Sequence, residues 1–418
     1  MFSAFLQRTA ICKYVCRILW VLLSTASEPL LAQNDQSSEW LRHSIGQMII
    51  TGFSGNDVTS PDFQRALNNL RNGIIGGILF LPKNIASREQ LKNMIKMVQA
   101  CTCPAVPLIA VDEEGGIVER LGEQIGFEEI PSPEELSHDG LSTAKSQYNR
   151  LAHKVFDLGF NLNLAPVVDL NTNPDNPIIG SLGRSFSSNP RVVARFARTF
   201  ILEHHALGIL TSLKHFPGHG SSDTDTHEST ADVNETWRKI ELDPFRRLIR
   251  SHLVDTIMVG HLRNAPGWGG VASQEGFAVK RLLRQKLKFD GVTISDDLGM
   301  AAVFTQKENS FGNVITSAIK TGIDIVLIAH PISEDTGQYV NASIIDALDS
   351  GTLSAHEIRQ SLHRIAKLKR KLLRYKRSSE LASWKAMDRD AVTCLVCLLY
   401  ARINQDAGWA TVEHNCAA

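Results

Sequence analysis

The sequence lacks the features that mark several classes of protein. Its 44 basic and 44 acidic residues cancel, so the charge balance favours neither nucleic acid nor an anionic membrane as a partner. No G-x-G-x-x-G follows the early apolar runs, which argues against a dinucleotide-binding domain. No internal repeat of solenoid length is present. What remains is an ordinary globular composition, 43% hydrophobic and 21% charged, and we expect no stable membrane insertion of the mature chain.

The seven cysteines provide no disulfide framework. Cys101 and Cys103 are too close to pair easily if the segment between them is extended. Cys394 and Cys397 form a C-x-x-C inside an apolar run, with no second ligand pair nearby. We interpret this pair as buried or accidental and not as a zinc site.

Residues 1–32 resemble an export signal. Arg8, Lys13 and Arg17 occur without any acid and precede a short apolar core at residues 18–23. Small residues and Ala32 follow, which predicts cleavage after Ala32 and a periplasmic or secreted mature protein. The alternative is a disordered extension on a cytoplasmic protein.

Apolar β-like runs alternate with helix-like stretches along the chain. The runs are Ile74–Leu81, Pro107–Asp112, Leu162–Leu170, Ile209–His215, Thr256–His261, Val292–Asp296 and Ile323–Ala329. The helix-like stretches are Arg88–Gln99, Thr143–Leu158, Pro190–Leu207, Leu242–Leu253, Ala278–Leu287, Asn313–Thr321 and the closing Ala355–Arg374. Such alternation predicts an α/β fold with a parallel sheet. Seven or eight units favour a single (β/α)8 TIM-type barrel over residues 33–376 rather than an open doubly wound sheet. Residues 377–418 lack the alternation and are left as a tail without an assigned structure.

Polar residues stand at or near the ends of successive runs. Active sites of such barrels lie at the carboxyl ends of the strands. We therefore expect these side chains to converge on one rim: Asp112, Asp169, Lys214 with His215, His261 and Asp296.

The segment 214–230 concentrates titratable groups, with three histidines, three acids and a lysine around two glycines. Within it, Asp225 and His227 are two residues apart, so in an extended segment they project to the same side. The carboxylate can then orient the imidazole and stabilise its protonated form. This pair is a candidate general acid/base unit.

Asp296 and Asp297 end the sixth apolar run. Adjacent side chains on a strand point to opposite sides, so only one of them can face the barrel axis, and the apolar pattern does not settle which. A carboxylate there can attack an anomeric carbon or stabilise an oxocarbenium ion. Together with the dyad of His227 and Asp225, it would meet the needs of retaining glycoside hydrolysis, with an imidazole in place of the usual second carboxylate.

Three motifs together resemble glycoside hydrolase family 3 and, more narrowly, its NagZ-type β-N-acetylhexosaminidases. They are K-H-F-P-G-H-G from Lys214 followed by D-T-H, V-D-E-E-G-G at residues 111–116, and I-S-D-D-L at residues 294–298. The resemblance covers roughly residues 40–370. It implies that Asp296 is the nucleophile and that His227 is the acid/base with Asp225 as its partner. It assigns sugar hydroxyl binding to Asp112, Arg120, Arg184, Lys214 and His215, and it implies neither a metal nor a cofactor.

The implied activity is that of a retaining, exo-acting β-N-acetylhexosaminidase (a β-N-acetylglucosaminidase). It would release terminal β-linked N-acetylglucosamine from peptidoglycan fragments, muropeptides or chitin-like glycans through a covalent glycosyl-enzyme. Other family 3 β-glucosidases usually carry a second α/β sandwich domain, and the tail here is too short for it, so we expect the single-domain type. We also expect a monomer. Two departures concern Glu113 and Ile117, where relatives more often have Gln and Arg, so an added negative charge could retune substrate choice.

Four alternatives stay open on the sequence. A β-glucosidase-type family 3 hydrolase would share the machinery. A substrate-assisted mechanism would use the N-acetyl group of the sugar with Asp296 and Asp297. A metal-dependent barrel hydrolase would draw ligands from His215, His219, His227 and His261, although their spacing matches no known motif. A sugar-binding protein without activity would leave the acid/base unit idle.

Overall fold

The computed structural model describes residues 38–223, 231–263, 271–273, 276–300 and 310–386. The chain divides into two compact units, Met1–Ser44 and Ile45–Ala418. The first contributes helix α1, Ser38–Ser44, to the described residues, and the second holds the barrel. Across the described ranges, none of the helices combines the length and apolarity that crossing a bilayer requires.

Eight parallel strands close into a barrel in chain order, with the last strand paired to the first. They are β1 Ile49–Thr51, β2 Gly77–Phe80, β3 Leu108–Val111, β4 Leu162–Asn163, β5 Leu210–Phe216, β6 Thr256–Val259, β7 Val292–Asp297 and β8 Ile325–Ile328. Every residue of β1 to β6 and of β8 is buried. The (β/α)8 prediction is confirmed. It could be made because strands covered on both faces appear in the sequence as continuous apolar runs.

Helices surround the barrel. They are α2 Pro61–Arg71, α3 Arg88–Gln99, α4 Pro133–Asp139, α5 Leu141–Leu158, α6 Pro190–Ala206, α7 Asp243–Arg250, the π-helical α8 Phe277–Lys286, α9 Phe311–Lys320, α10 Thr336–Asp349 and α11 Ala355–Ala386. Short 3-10 turns lie at Ile45–Met48, Pro82–Asn84, Glu123–Ile125 and Lys239–Leu242. The bounds of α3 match the prediction because Ser87 and Gln90 form a capping box at its start. Ala231–Asp232 and Leu262–Arg263 pair as a small separate sheet.

The third predicted strand is much shorter than expected. Only Leu162–Asn163 pair as β4, although the predicted run extended to Leu170. Pro166 has no N–H to give to the ladder, but hydrogen bonds to β5 continue past Asn163. Ser212 N–H donates to the Ala165 carbonyl at 2.9 Å, and Val168 N–H donates to the Lys214 carbonyl at 2.8 Å. The chain therefore still follows β5 and delivers Asp169 to the same rim.

Helix α11 crosses the amino-terminal end of the barrel and fixes it through polar contacts. Asp324, directly before β8, accepts hydrogen bonds from Ser361 at 2.7 Å and Arg364 at 2.8 Å. Lys369 donates to Gln47 at 2.7 Å and to the Gly76 carbonyl at 2.8 Å, ahead of β1 and β2. The helix runs to Ala386, past residue 376 where the sequence placed the end of the barrel.

The structure places Cys101 and Cys103 within the Cα separation that a disulfide spans, which an extended segment would not favour. The segment is not extended: Cys103 N–H donates to the Cys101 carbonyl at 3.0 Å. This tight turn brings the Cα atoms to 5.4 Å, within the range that a disulfide spans.

Candidate active site

Four charged side chains meet at the carboxyl end of the barrel. Asp112 and Glu114 follow β3, and Lys214 of β5 donates to Asp112 Oδ1 and to Glu114 Oε1, each at 2.7 Å. Arg184 donates two hydrogen bonds of 2.8 Å to the Glu114 carboxylate, one from Nε and one from Nη2. Its Nη1 donates to the Ile178 carbonyl at 2.7 Å. The result is one continuous network of two acids and two bases.

The network keeps its buried members ionised. Burial works to raise the pKa of Glu114, but Arg184 and Lys214 outweigh it and hold that pKa well below its usual value. Burial works to lower the pKa of Lys214, but Asp112 and Glu114 outweigh it and the pKa is raised. Buried charges persist when they are paired and hydrogen-bonded in this way. Paired acids and bases also offer spare lone pairs and N–H groups to the hydroxyls of a sugar.

A register shift explains how the adjacent residues Lys214 and His215 of β5 both contribute side chains to the carboxyl end of the barrel. The pairing of β5 with β6 shifts between Leu213 and Phe216, and such irregularities re-aim side chains. Lys214 reaches the acids after β3, whereas His215 Nδ1 lies 2.8 Å from Asp169 Oδ2. Asp169 Oδ1 also accepts the backbone N–H of His219 at 2.8 Å. Burial works against the ionised form of Asp169, but His215 outweighs it and the pKa of Asp169 is lowered.

The end of β7 separates the roles of its two aspartates. The pairing of β7 with β8 shifts between Ile294 and Asp297, and the hydroxyl of Ser295 accepts the Leu327 N–H at 2.9 Å within the irregularity. Asp297 Oδ1 accepts the N–H of Gly299 at 3.0 Å and that of Ala329 at 2.9 Å. Asp297 is therefore tied to the backbone.

Asp296 remains as the carboxylate that is available to a substrate. It is half-buried, and its Oδ1 accepts the Asp297 N–H at 2.9 Å. Burial works to raise the pKa of Asp296, but the neighbouring imidazole of His215, the N–H of Asp297 and the ammonium of Lys214 outweigh it and the pKa is lowered. An ionised carboxylate beside a buried charged network suits a nucleophile.

Comparison with known proteins agrees with this arrangement. Residues 40–368 match the family described as "Glycosyl hydrolase family 3 N terminal domain". The chain belongs to glycoside hydrolase family 3. Among its relatives, the "Beta-hexosaminidase A" of Pseudoalteromonas piscicida is 32% identical over 71% of this chain and 54% of the relative. The "Beta-hexosaminidase" of Stenotrophomonas maltophilia (strain R551-3) is 33% identical over 68% of this chain and 84% of the relative. This chain thus spans about half of the first relative and most of the second.

Solved structures give the same family 3 barrel. A family 3 β-N-acetylglucosaminidase from a Paenibacillus species superposes with a TM-score of 0.70 at 28% identity, over 80% of this chain and 62% of the other. A β-N-acetylhexosaminidase from Beutenbergia cavernae superposes with a TM-score of 0.68 over 80% of this chain and 99% of the other. At 24% identity, the second comparison supports the fold alone.

The structure brings together most of the predicted site residues of this family 3 barrel. Asp112, Arg184 and Lys214 share one network, His215 binds Asp169, and Asp296 lies beside His215. Arg120 is half-buried on the loop after β3, and its Nε has no hydrogen-bond partner among the described residues.

The predicted acid/base unit is not part of the described site. His227 and Asp225 lie outside the described residues. Their assignment therefore stays a prediction from the sequence and from the family resemblance.

Sequence reasoning passed over Glu114 and left Asp169 without a role in the site. Glu114 is two residues after Asp112, the spacing that places two side chains on one side of an extended segment, so a signal was present. For Asp169 the sequence indicates only a polar residue near the end of a run.

The expectation that Glu113 adds a negative charge near the sugar-binding residues does not fit the structure. Glu113 is buried, and its Oε2 accepts the N–H groups of Arg120 at 2.7 Å and Leu121 at 3.0 Å. Burial raises its pKa to about 8, so it is neutral at pH 7. Ile117 is 64% exposed. It lies between Gly115 and Val118, which pair as an isolated antiparallel bridge in the same loop.

Two of the histidines proposed as metal ligands have other partners, and His227 lies outside the described residues. His215 Nδ1 contacts Asp169, and both ring nitrogens of His261 are bonded, to Ser273 and to the Asp297 carbonyl. Across the part of the chain that the structure describes, no group of three or more histidine, cysteine or acidic side chains is arranged to hold a metal ion.

Proposed function

We propose that this chain is a retaining, exo-acting β-N-acetylhexosaminidase. The proposal rests on the different surroundings of Asp296 and Asp297 at the end of β7. Asp297 is held by two backbone N–H groups, while the carboxylate of Asp296 stays half-buried beside the network of Asp112, Glu114, Lys214 and Arg184. The names of the relatives support a hexosaminidase over a β-glucosidase.

The proposed reaction has two displacements. In the first, Asp296 attacks the anomeric carbon of the terminal sugar, the bond to the leaving oxygen breaks, and His227 protonates that oxygen. In the second, water attacks the same carbon, gives its proton to His227, and Asp296 leaves as a carboxylate. Two inversions at one carbon give net retention. A lowered pKa at Asp296 supports the first step because the nucleophile has to be ionised.

Binding of the terminal sugar falls to the charged network and to the dyad of His215 and Asp169. Lys214 uses two of its three N–H donors on Asp112 and Glu114, so one stays available to a hydroxyl. His215 is held by Asp169 at Nδ1, which leaves Nε2 to face a ligand.

A panel of aryl β-glycosides tests the activity. We expect the N-acetylglucosaminide to be cleaved with a kcat/KM at least about 100-fold above that of the glucoside, since a site built to bind a polar group rejects the analogue that lacks it. Proton NMR of the early reaction should show the β-anomer of the free sugar. Preference for the glucoside would favour the β-glucosidase alternative, and early α-anomer would contradict retention.

The natural substrate is proposed to be a peptidoglycan fragment, a muropeptide or a chitin-like glycan with a terminal β-linked N-acetylglucosamine. We further propose that residues 1–32 direct export, so that the enzyme acts on envelope glycans outside the cytoplasm. N-terminal sequencing of the mature protein tests the second point, because a cut after Ala32 supports export and an intact terminus supports the cytoplasmic alternative. Release of single N-acetylglucosamine units from defined oligosaccharides tests exo action.

A further inference from the structure

We propose that His261 is a positioning residue for the nucleophile, acting through the backbone of Asp297. The inference rests on the proposed role of Asp296. His261 lies two residues after the end of β6 and its exposure is 0%. The sugar-binding network and the acid/base unit do not include it.

The hydrogen bonds of His261 fix the position of its proton. Its Nε2 lies 2.9 Å from the carbonyl oxygen of Asp297, and its Nδ1 lies 2.7 Å from the hydroxyl oxygen of Ser273. A carbonyl oxygen can only accept, so Nε2 must carry the proton. Nδ1 of the neutral ring then accepts the hydroxyl proton of Ser273. Burial lowers the pKa of His261, so at neutral pH the ring stays in this single tautomer.

Asp297 passes this constraint to the nucleophile. Its carbonyl accepts hydrogen bonds from His261 at 2.9 Å and from the N–H of Met300 at 3.1 Å. Its carboxylate accepts the N–H groups of Gly299 at 3.0 Å and Ala329 at 2.9 Å. Its own N–H donates to Asp296 Oδ1 at 2.9 Å. One carboxylate oxygen of the nucleophile is therefore oriented by a residue that is fixed at two other points. The other oxygen is left to attack the sugar.

Loss of the imidazole would act on the chemical step more than on binding. The carbonyl of Asp297 would keep only the N–H of Met300, at 3.1 Å, as a donor. That contact comes from the local turn, so the tie between the end of β7 and the segment after β6 would be lost. A displacement of about 1 Å in a reacting group can slow a reaction by about 100-fold. The network of Asp112, Glu114, Lys214 and Arg184 lies on other strands and loops, so the binding of the terminal sugar should change little.

The test compares His261→Ala with His261→Gln, because the amide nitrogen of Gln can replace Nε2 as a donor to the Asp297 carbonyl. The measurements are kcat, KM and the rate at which an activated 2-fluoro glycosyl fluoride labels Asp296, together with the melting temperature. For His261→Ala we expect labelling and kcat to fall by about 10- to 100-fold with KM within about twofold. For His261→Gln we expect labelling within about fivefold of the wild type.

Two further variants keep the inference testable if His261→Ala does not fold. Ser273→Ala retains the ring but removes the partner of Nδ1, and should slow labelling about threefold to tenfold, as expected for the loss of one hydrogen bond. His204 is a second fully buried histidine, bonded to Asn163 and to the Phe200 carbonyl, and His204→Gln should lower the melting temperature without changing the labelling rate.

Two outcomes would overturn the inference. One is a wild-type labelling rate in His261→Ala. The other is an equal fall in the labelling rate of His261→Gln and of His204→Gln, in proportion to their loss of melting temperature. Failure of the wild type to label at Asp296 would instead refute the proposed function. The two failures are therefore distinguishable.

Discussion

Arg184 holds Glu114 through two hydrogen bonds of 2.8 Å, one from Nε and one from Nη2. The same carboxylate accepts Lys214 at 2.7 Å, so one buried acid faces two buried bases. Asp112 supplies a second acid to Lys214. The orientation of both bases toward a sugar thus depends on Glu114.

We predict that Glu114→Gln lowers both stability and activity. The substitution keeps the size of the side chain but leaves two buried cations with less opposing charge, and breaking a buried ion pair costs about 3–5 kcal/mol. We expect a drop of that order in the free energy of unfolding and a fall in kcat/KM of about 100-fold, because Lys214 and Arg184 lose their alignment. Denaturant unfolding and aryl-glycoside kinetics provide the measurements.

Glu128, whose side chain is 85% exposed and pairs with Arg150, is the matched control, since exposed pairs contribute about 0–1 kcal/mol. Equal effects of Glu114→Gln and Glu128→Gln would refute the prediction.

We predict that Glu113→Gln stabilises the protein increasingly as pH rises. The pKa of Glu113 is raised from 4.5 to about 8, so between these values the folded state binds more protons than the unfolded state. The wild type then loses up to about 1.4 kcal/mol per pH unit from this group as pH increases, and the variant does not. Unfolding at about pH 5 and about pH 8 measures the difference, while kcat/KM at neutral pH should stay within about twofold. A stability difference that does not change with pH would show that Glu113 is ionised in the folded protein.

Lys369 at the base of the barrel gives the opposite pH dependence. Burial lowers its pKa from 10.5 to about 7, so between these values the unfolded state binds more protons. The wild type therefore loses stability as pH falls through this window, by up to about 1.4 kcal/mol per unit, with no further loss from this group below it. The free energy of unfolding of Lys369→Met, relative to that of the wild type, should increase as pH is lowered from about 10 to about 7. A difference that shrinks over that range would contradict the lowered pKa.

Asp324 should matter for stability and not for catalysis. It accepts hydrogen bonds from Arg284 at 2.7 Å, Arg364 at 2.8 Å and Ser361 at 2.7 Å, at the end of the barrel opposite the site. We predict that Asp324→Asn costs about 3 kcal/mol because it leaves two partly buried guanidinium groups without a counter-charge. KM and kcat should remain at wild-type values below the unfolding transition. A changed KM in the folded variant would mean that the two ends of the barrel are coupled.

The barrel could be predicted from the sequence because its strands are covered on both faces. β1 escaped detection since its three residues, Ile49–Thr51, are too few to show a pattern. Helix α10 also escaped detection: it contains Gly337, Asn341 and Ser343, which have low helix propensity, and packing decides its structure. Helix α2 carried a signal that was overlooked, since Pro61 opens it after Ser60.

Local patterns could not assign the roles of Asp296 and Asp297. The answer depends on the register shift between β7 and β8 and on the N–H of Ala329, more than thirty residues away. The same holds for His261, whose partner Asp297 belongs to the neighbouring strand. The ends of strands identified the rim, but only three-dimensional contacts separate residues that bind from residues that orient.

Covalent labelling of Asp296 tests the central claim most directly. The wild type is incubated with an activated 2-fluoro glycosyl fluoride, digested and analysed by peptide mass spectrometry, with Asp297→Asn as the comparison. The account predicts one adduct, on Asp296, in both proteins, and no adduct in Asp296→Ala. Turnover of the aryl glycoside without any adduct on Asp296 would contradict it and would favour attack by the N-acetyl group of the substrate.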